Sequence, residues 1–184
     1  MRSPSLIRVC VLLIGGASAI AAATPCECEA AAPETMTSRQ CSLCREAEKQ
    51  SPDTAVFFLK DINPRKPNRW LALPKRHGSG MHHLHDLTRA ERTALWTSAI
   101  AKATEMWGEE WGLAYNGEQV RTQCHAHIHI GKLLSGIETE HFIVVKKPGD
   151  IPAPPGEGLW VHPIGKGRLH VHLGEQTTET ALLR

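Results

Sequence analysis

The sequence predicts an α+β domain built on an antiparallel sheet, and three observations carry that expectation. Segments with strand composition run in the order β-β-α-β-β-β and end in a hairpin. One segment between them carries a full set of helix signals. A third stretch, "VRTQCHAHIHIGKL" from Val120 to Leu133, alternates with a period of two, the period of a strand.

Taken in chain order, Cys41 to Gln50 suits a short helical or turn segment. "TAVFFLK" (Thr54 to Lys60) and the proline-ended "RWLALP" (Arg69 to Pro74) read as strands. "DINPRKPN" between them holds two prolines and two asparagines and reads as a turn. Thr88 and Glu91 form a T-x-x-E capping box that opens a helix. Leu95, Ala99, Ala103 and Met106 give that helix one apolar stripe, and Gly108 suits its end. "GLAYN" (Gly112 to Asn116) is a further strand. The next sends His125, His127 and His129 to one face and Ala126, Ile128 and Ile130 to the other. "HFIVV" (His141 to Val145) follows, then a Pro/Gly-rich loop, then "LWVHPI" and "RLHVHL" as a closing hairpin.

At 184 residues the chain suits one domain plus an export segment, and an apolar share of 41% is enough for a packed core. Arg2 and Arg8 precede the apolar stretch Val9 to Ile14, and small residues end at Ala21-Ala22-Ala23. This pattern reads as a secretory signal over residues 1–23, cleaved before Thr24, with a retained anchor as the alternative, so the protein is expected to be exported and periplasmic or membrane-associated. The apolar run is short of the roughly 20 residues a bilayer span needs. Residues 24–40, "TPCECEAAAPETMTSRQ", lack periodicity and read as a linker, with the domain over 41–184. Removing Arg2 and Arg8 from 21 basic residues leaves 19 against 19 acidic ones. Bulk charge therefore gives no case for a nucleic-acid partner. The anomaly is eleven histidines.

Cys41 and Cys44 form a C-x-x-C with two readings. In an exported chain it is a disulfide element, with Cys26 and Cys28 close by. Otherwise it is half of a zinc site completed by two histidines. Five cysteines follow the signal, so at least one has no partner within the monomer. His77, His82, His83 and His85 read as a polar loop before the helix, and His170 and His172 as structural or partly exposed. Lys60, Arg65, Lys66 and Arg69 read as a solvated loop, with a pyrophosphate or an anionic membrane surface as the sharper alternative.

The H-x-H-x-H of His125, His127 and His129, led by Asn116-Gly117, resembles the histidine triad (HIT) superfamily of nucleotide hydrolases and transferases. "LALPKRH…LHDLT" resembles the segment before that family's long helix, and "CSLC" the C-x-x-C of many bacterial members. Within the superfamily, "RTQ-x-H-x-HIHI" and the "KD-x-N" of Lys60, Asp61 and Asn63 are most similar to the CDP-diacylglycerol pyrophosphatases, which are exported and membrane-associated. The chain is shorter than those enzymes, and its C-x-x-C is like that of the soluble bacterial triad proteins.

The resemblance implies a HIT-like antiparallel sheet with one long helix packed on it, and commonly a homodimer. It implies that His127 is the nucleophile and that His129 contacts the phosphate or bridging oxygen. Asn116, Arg121, Thr122 and Gln123 would bind substrate. The reaction would convert CDP-diacylglycerol to CMP and phosphatidate through a phosphohistidine. By resemblance to metal-containing members, Cys41, Cys44, His77 and His125 would hold a structural zinc, while the hydrolysis itself needs no cofactor. Two other readings stay open: the same chemistry on a soluble nucleotide (a dinucleoside polyphosphate or phosphoramidate), and a non-enzymatic exported metal-binding protein.

Overall fold

Among the described residues seven strands pair antiparallel throughout, in the spatial order β1-β2-β4-β3-β6-β7-β5. They are β1 (Val56–Lys60), β2 (Trp70–Pro74), β3 (Trp111–Tyr115), β4 (Ile128–Lys132), β5 (Phe142–Val145), β6 (Gly158–Pro163) and β7 (Leu169–Glu175). With α1 (Ser42–Glu48) and α2 (Arg89–Trp107) they make an α+β fold. The structure, a computed structural model, describes residues 26–78 and 81–184, so the expected signal peptide lies outside the described residues.

Helix α2 begins at the expected box: Glu91 N donates to Thr88 Oγ1 (3.2 Å) and Thr88 N to Glu91 Oε2 (2.8 Å). It ends at Gly108, whose φ of 59° is available to glycine at little cost. Its buried stripe is Leu95, Trp96, Ala99 and Ala103. Trp96 replaces the expected Met106, because Trp96, Ala99 and Ala103 repeat at i, i+3 and i+7. This stripe packs on Ala72, Leu113, Tyr115, Ile128, Ile130, Leu159, Val161 and Val171, which is one face of the central strands.

The other face carries His129 and is covered in two places. Near β1 and β2, Leu43 and Ala47 of α1 pack on Phe57 and Leu73. Over β3, β4 and β6 lies the C-terminal segment, with Ala181 and Leu182 packed on Ala114 and Trp160. A pair of glycines in register makes that second contact fit. Gly112 stands opposite Gly131, and a Cβ on Gly112 would sit 2.4 Å from Leu182 Cδ2. A Cβ on Gly131 would sit 3.0 Å from Arg69 Cδ. Arg69 itself is buried and donates to the carbonyls of Glu179 (2.9 Å), Leu182 (2.6 Å) and Leu183 (2.7 Å). It is thus an internal clamp on the C-terminal segment and not part of a solvated loop.

The stretch expected as a linker is stapled to the domain from Cys26 onward. Cys26 is disulfide-bonded to Cys124 and Cys28 to Cys44, and Cys28 and Met36 are buried. Its composition gave no helical or strand period, because covalent links and short 3-10 turns hold it, not a repeating apolar face. Regular pairing in the histidine stretch starts only at Ile128, so His125 and His127 precede β4 and His129 lies within it.

Candidate active site

The chain from Tyr115 to His129 builds the site. Cys124 is fixed covalently to Cys26, and Cys124 N donates to the Gln40 carbonyl (2.9 Å). Both bonds pin the approach to His125. His125 Nδ1 then donates to the Ala126 carbonyl (2.9 Å), and His127 Nδ1 donates to the His125 carbonyl (2.8 Å). A carbonyl only accepts, so each ring carries its proton on Nδ1 and keeps a lone pair on Nε2. The His127 and His129 rings meet edge to face, with centroids 4.9 Å apart.

All three histidines are buried, and burial is the main force on their protonation. It pushes His125 down to about 3 and His127 down to about 4, and it holds His129 well below the ordinary imidazole value. Arg121 lowers His127 further, while Glu179 and Asp61 pull it back up. For His129 the neighbours His127, Lys66 and Arg69 all act downward. The site therefore presents neutral imidazoles ringed by fixed cations. Glu179 sits among those cations: it pairs with Lys66, lies 3.5 Å from Arg69 Nη1 and lies 3.7 Å from His129 Nδ1.

The expected substrate-binding residues fare differently. Asn116 is buried beside His129, with Nδ2 3.5 Å from its Nε2, and its Oδ1 accepts from Thr178 Oγ1 (3.3 Å) and Glu179 N (3.1 Å). Arg121 is aimed by two partners, the Tyr115 hydroxyl and His83 Nδ1 (2.6 Å). Burial in turn raises the Tyr115 phenol above its ordinary value. Thr122 is exposed. Gln123 reaches α1 and the N-terminal segment: Ser42 Oγ donates to its Oε1 (2.9 Å), and the end of its amide also lies beside the Gln40 and Arg39 carbonyls, to which Nε2 donates once the amide is turned over. Its amide ties down the N-terminal segment, and that contact was not legible because the segment read as a linker.

The expected zinc set is not assembled. Cys44 is in the disulfide with Cys28, and a disulfide sulfur is not the thiolate that zinc binds. His77 and His125 do adjoin, with centroids 5.4 Å apart, but His77 Nε2 is engaged by Glu48 Oε1 at 2.6 Å. Cys41 is a buried free cysteine, 4.0 Å from Cys124 Sγ. Among the described residues, two other groups bring metal-type donors together: Cys28, Cys41 and Cys124, and Glu138, His162, His170 and His172. In the first group two of the three sulfurs are oxidised, so one thiol remains. The second group went unrecognised because its histidines read as structural. Its sequence signal was the H-x-H at 170–172 within a predicted hairpin, which sets His162 opposite His170.

Among the described residues no helix is long and apolar enough to cross a membrane. No family model matches the chain. It is similar to the crystal structure of a DUF4931 family protein from Bacillus cereus ATCC 10987, at 10% identity over 68% of this chain and 84% of that one, with a TM-score of 0.47.

Proposed function

We propose that this chain is an exported phosphohydrolase of the histidine triad type, with a HIT-like sheet, that cleaves CDP-diacylglycerol to CMP and phosphatidate. The observation that carries the reading is the bond from His127 Nδ1 to the His125 carbonyl, which leaves Nε2 as a free nucleophile. Burial keeps that nitrogen unprotonated at neutral pH. His127 Nε2 attacks the phosphorus that bears the cytidine, and the phosphatidate oxygen leaves with the bond's electron pair. Water then breaks the N–P bond, releases CMP and restores the imidazole.

Arg121 offsets charge on the attacked phosphate, and His129 and Asn116 stand beside the breaking bond. Two observations support a lipid over a soluble substrate. Ile62 is 98% exposed in the loop of Asp61, which acts on His127, and Val120 is exposed beside Arg121. Two disulfides also suit an oxidising compartment, where soluble nucleotides are scarce.

The test is CMP release from CDP-diacylglycerol in detergent micelles, beside a soluble dinucleoside polyphosphate, in wild type and His127→Ala. Release from the lipid alone, lost in the variant, is the expected result. Turnover of the soluble substrate alone would move the protein to the general nucleotide branch. No turnover of either would remove the enzymatic reading.

A further inference from the structure

We infer that Glu138, His162, His170 and His172 form a binding site for one divalent first-row transition-metal ion, distinct from the His127 site. The two sites lie on the same face of the sheet, three strands apart. Cross-strand partners share a face, and the line His129, Ala114, Trp160, His172 steps across β4, β3, β6 and β7. Three strand spacings put His172 about 14 Å from His129 on that face.

The distances between the ligand atoms already match the edges of a coordination polyhedron. His162 Nε2 lies 3.2 Å from His172 Nε2 and 3.3 Å from Glu138 Oε1. Glu138 Oε2 lies 3.2 Å from His172 Nε2 and 3.6 Å from His170 Nδ1. A tetrahedral ion bound at 2.0–2.1 Å spaces its ligands about 3.3 Å apart. The donors also converge with lone pairs inward. His162 Nδ1 faces the Pro163 carbonyl (3.2 Å), so it carries the proton and Nε2 is bare. His172 Nδ1 lies 2.8 Å from the Thr139 hydroxyl, which is able to accept its proton and so leave Nε2 bare for a metal. His170 Nδ1 is buried and has no hydrogen-bond partner.

One cation placed among these three imidazoles and the carboxylate would satisfy all four at once. The rings are held for this task. Trp160 stacks on His172 with centroids 3.6 Å apart, and Phe142 stacks on His170 at 4.3 Å. Such outer-shell support fixes ring orientation at metal sites. Imidazole with carboxylate suits zinc, nickel, copper or iron rather than calcium or magnesium. Four protein ligands close a tetrahedron, so the ion's role is to tie the 133–141 loop, which supplies both Glu138 and Thr139, to the β6–β7 hairpin.

The test uses the full chain without a histidine tag, stripped with chelator and titrated with Co²⁺ and with Zn²⁺. Expected are one ion per chain, a rise in Tm on binding, and a Co²⁺ spectrum of tetrahedral nitrogen and oxygen ligands without a thiolate charge-transfer band. Glu138→Gln and His170→Gln should weaken binding by at least the roughly 10–100-fold that outer-shell changes cost. Glu138 is half-exposed, so Glu138→Gln decides the matter even if a histidine variant fails to fold. Unchanged affinity in Glu138→Gln, a thiolate band, or loss of the ion in Cys41→Ser would each overturn the assignment. CMP release is read separately and does not bear on it.

Discussion

Nδ1 of His127 lies 2.8 Å from the backbone oxygen of His125, and that single bond decides which nitrogen of the ring is free to react. Burial around it holds the ring neutral, with its titration pushed down to about 4. The unfolded chain titrates near the ordinary value of ~6.5 and so takes up this proton first. Between pH 6.5 and 4 the unfolded state binds more protons, so stability falls as pH falls and is level above about 7. His127 alone accounts for on the order of 3 kcal/mol over that window, with His125 and His129 acting in the same direction. Tm measured from pH 7.5 to 4.5 should fall steadily below 6.5. A flat profile would mean these rings are not buried neutral.

Arg69 is the clamp on the C-terminal segment that holds Glu179 beside His129. Arg69→Ala leaves three carbonyls short of a donor and should cost about 3 kcal/mol in denaturant unfolding. Arg69→Lys should recover little of this, since one ammonium cannot reproduce the spread of a guanidinium fork. Equal stability of the two variants and wild type would show that the segment is not held this way.

On the proposed reading the exposed Ile62 meets the lipid part of the substrate. Ile62→Asp should raise KM for micellar CDP-diacylglycerol about tenfold, from the loss of roughly 1.5 kcal/mol of apolar contact. It should leave Tm unchanged, because the side chain is 98% exposed. An unaltered KM would place the acyl chains elsewhere.

Reduction should damage both stability and turnover. The Cys26–Cys124 link spans 98 residues and Cys28–Cys44 spans 16, worth about 4.7 and 3 kcal/mol by loop-closure entropy. Because Cys124 precedes His125, Cys26→Ser should also lower kcat, measured as CMP release at a temperature where the variant stays folded. Thiol titration of the untreated chain should find Cys41 only after denaturation, since it is buried.

The seven strands and α2 were legible from local signals: β-rich composition bounded by turn residues in "TAVFFLK" and "RWLALP", alternation in "HAHIHI" and "HVHL", and a box at Thr88 with a stop at Gly108. What was not legible depends on pairing between distant residues. Cysteine connectivity has no local signal, so Cys44 read as a zinc ligand when its partner is Cys28. Arg69 read as a loop cation because the carbonyls it binds lie more than a hundred residues away. Gln123 was assigned to substrate on likeness alone, and the N-terminal segment that it anchors had read as a linker. The Glu138 cluster needed the register that sets His162 opposite His170 and a loop residue brought in from outside the hairpin.

The most direct test of the central claim is to trap the covalent intermediate on His127. The protein is mixed with CDP-diacylglycerol, quenched within one turnover, kept from acid, reduced and digested with trypsin. The account predicts that the peptide from Thr122 to Lys132 carries the added mass of a cytidylyl group on His127. The same peptide from His127→Ala should be unmodified, with turnover lower by on the order of 10³-fold or more. An unmodified wild-type peptide during active turnover, or full activity in His127→Ala, would contradict it.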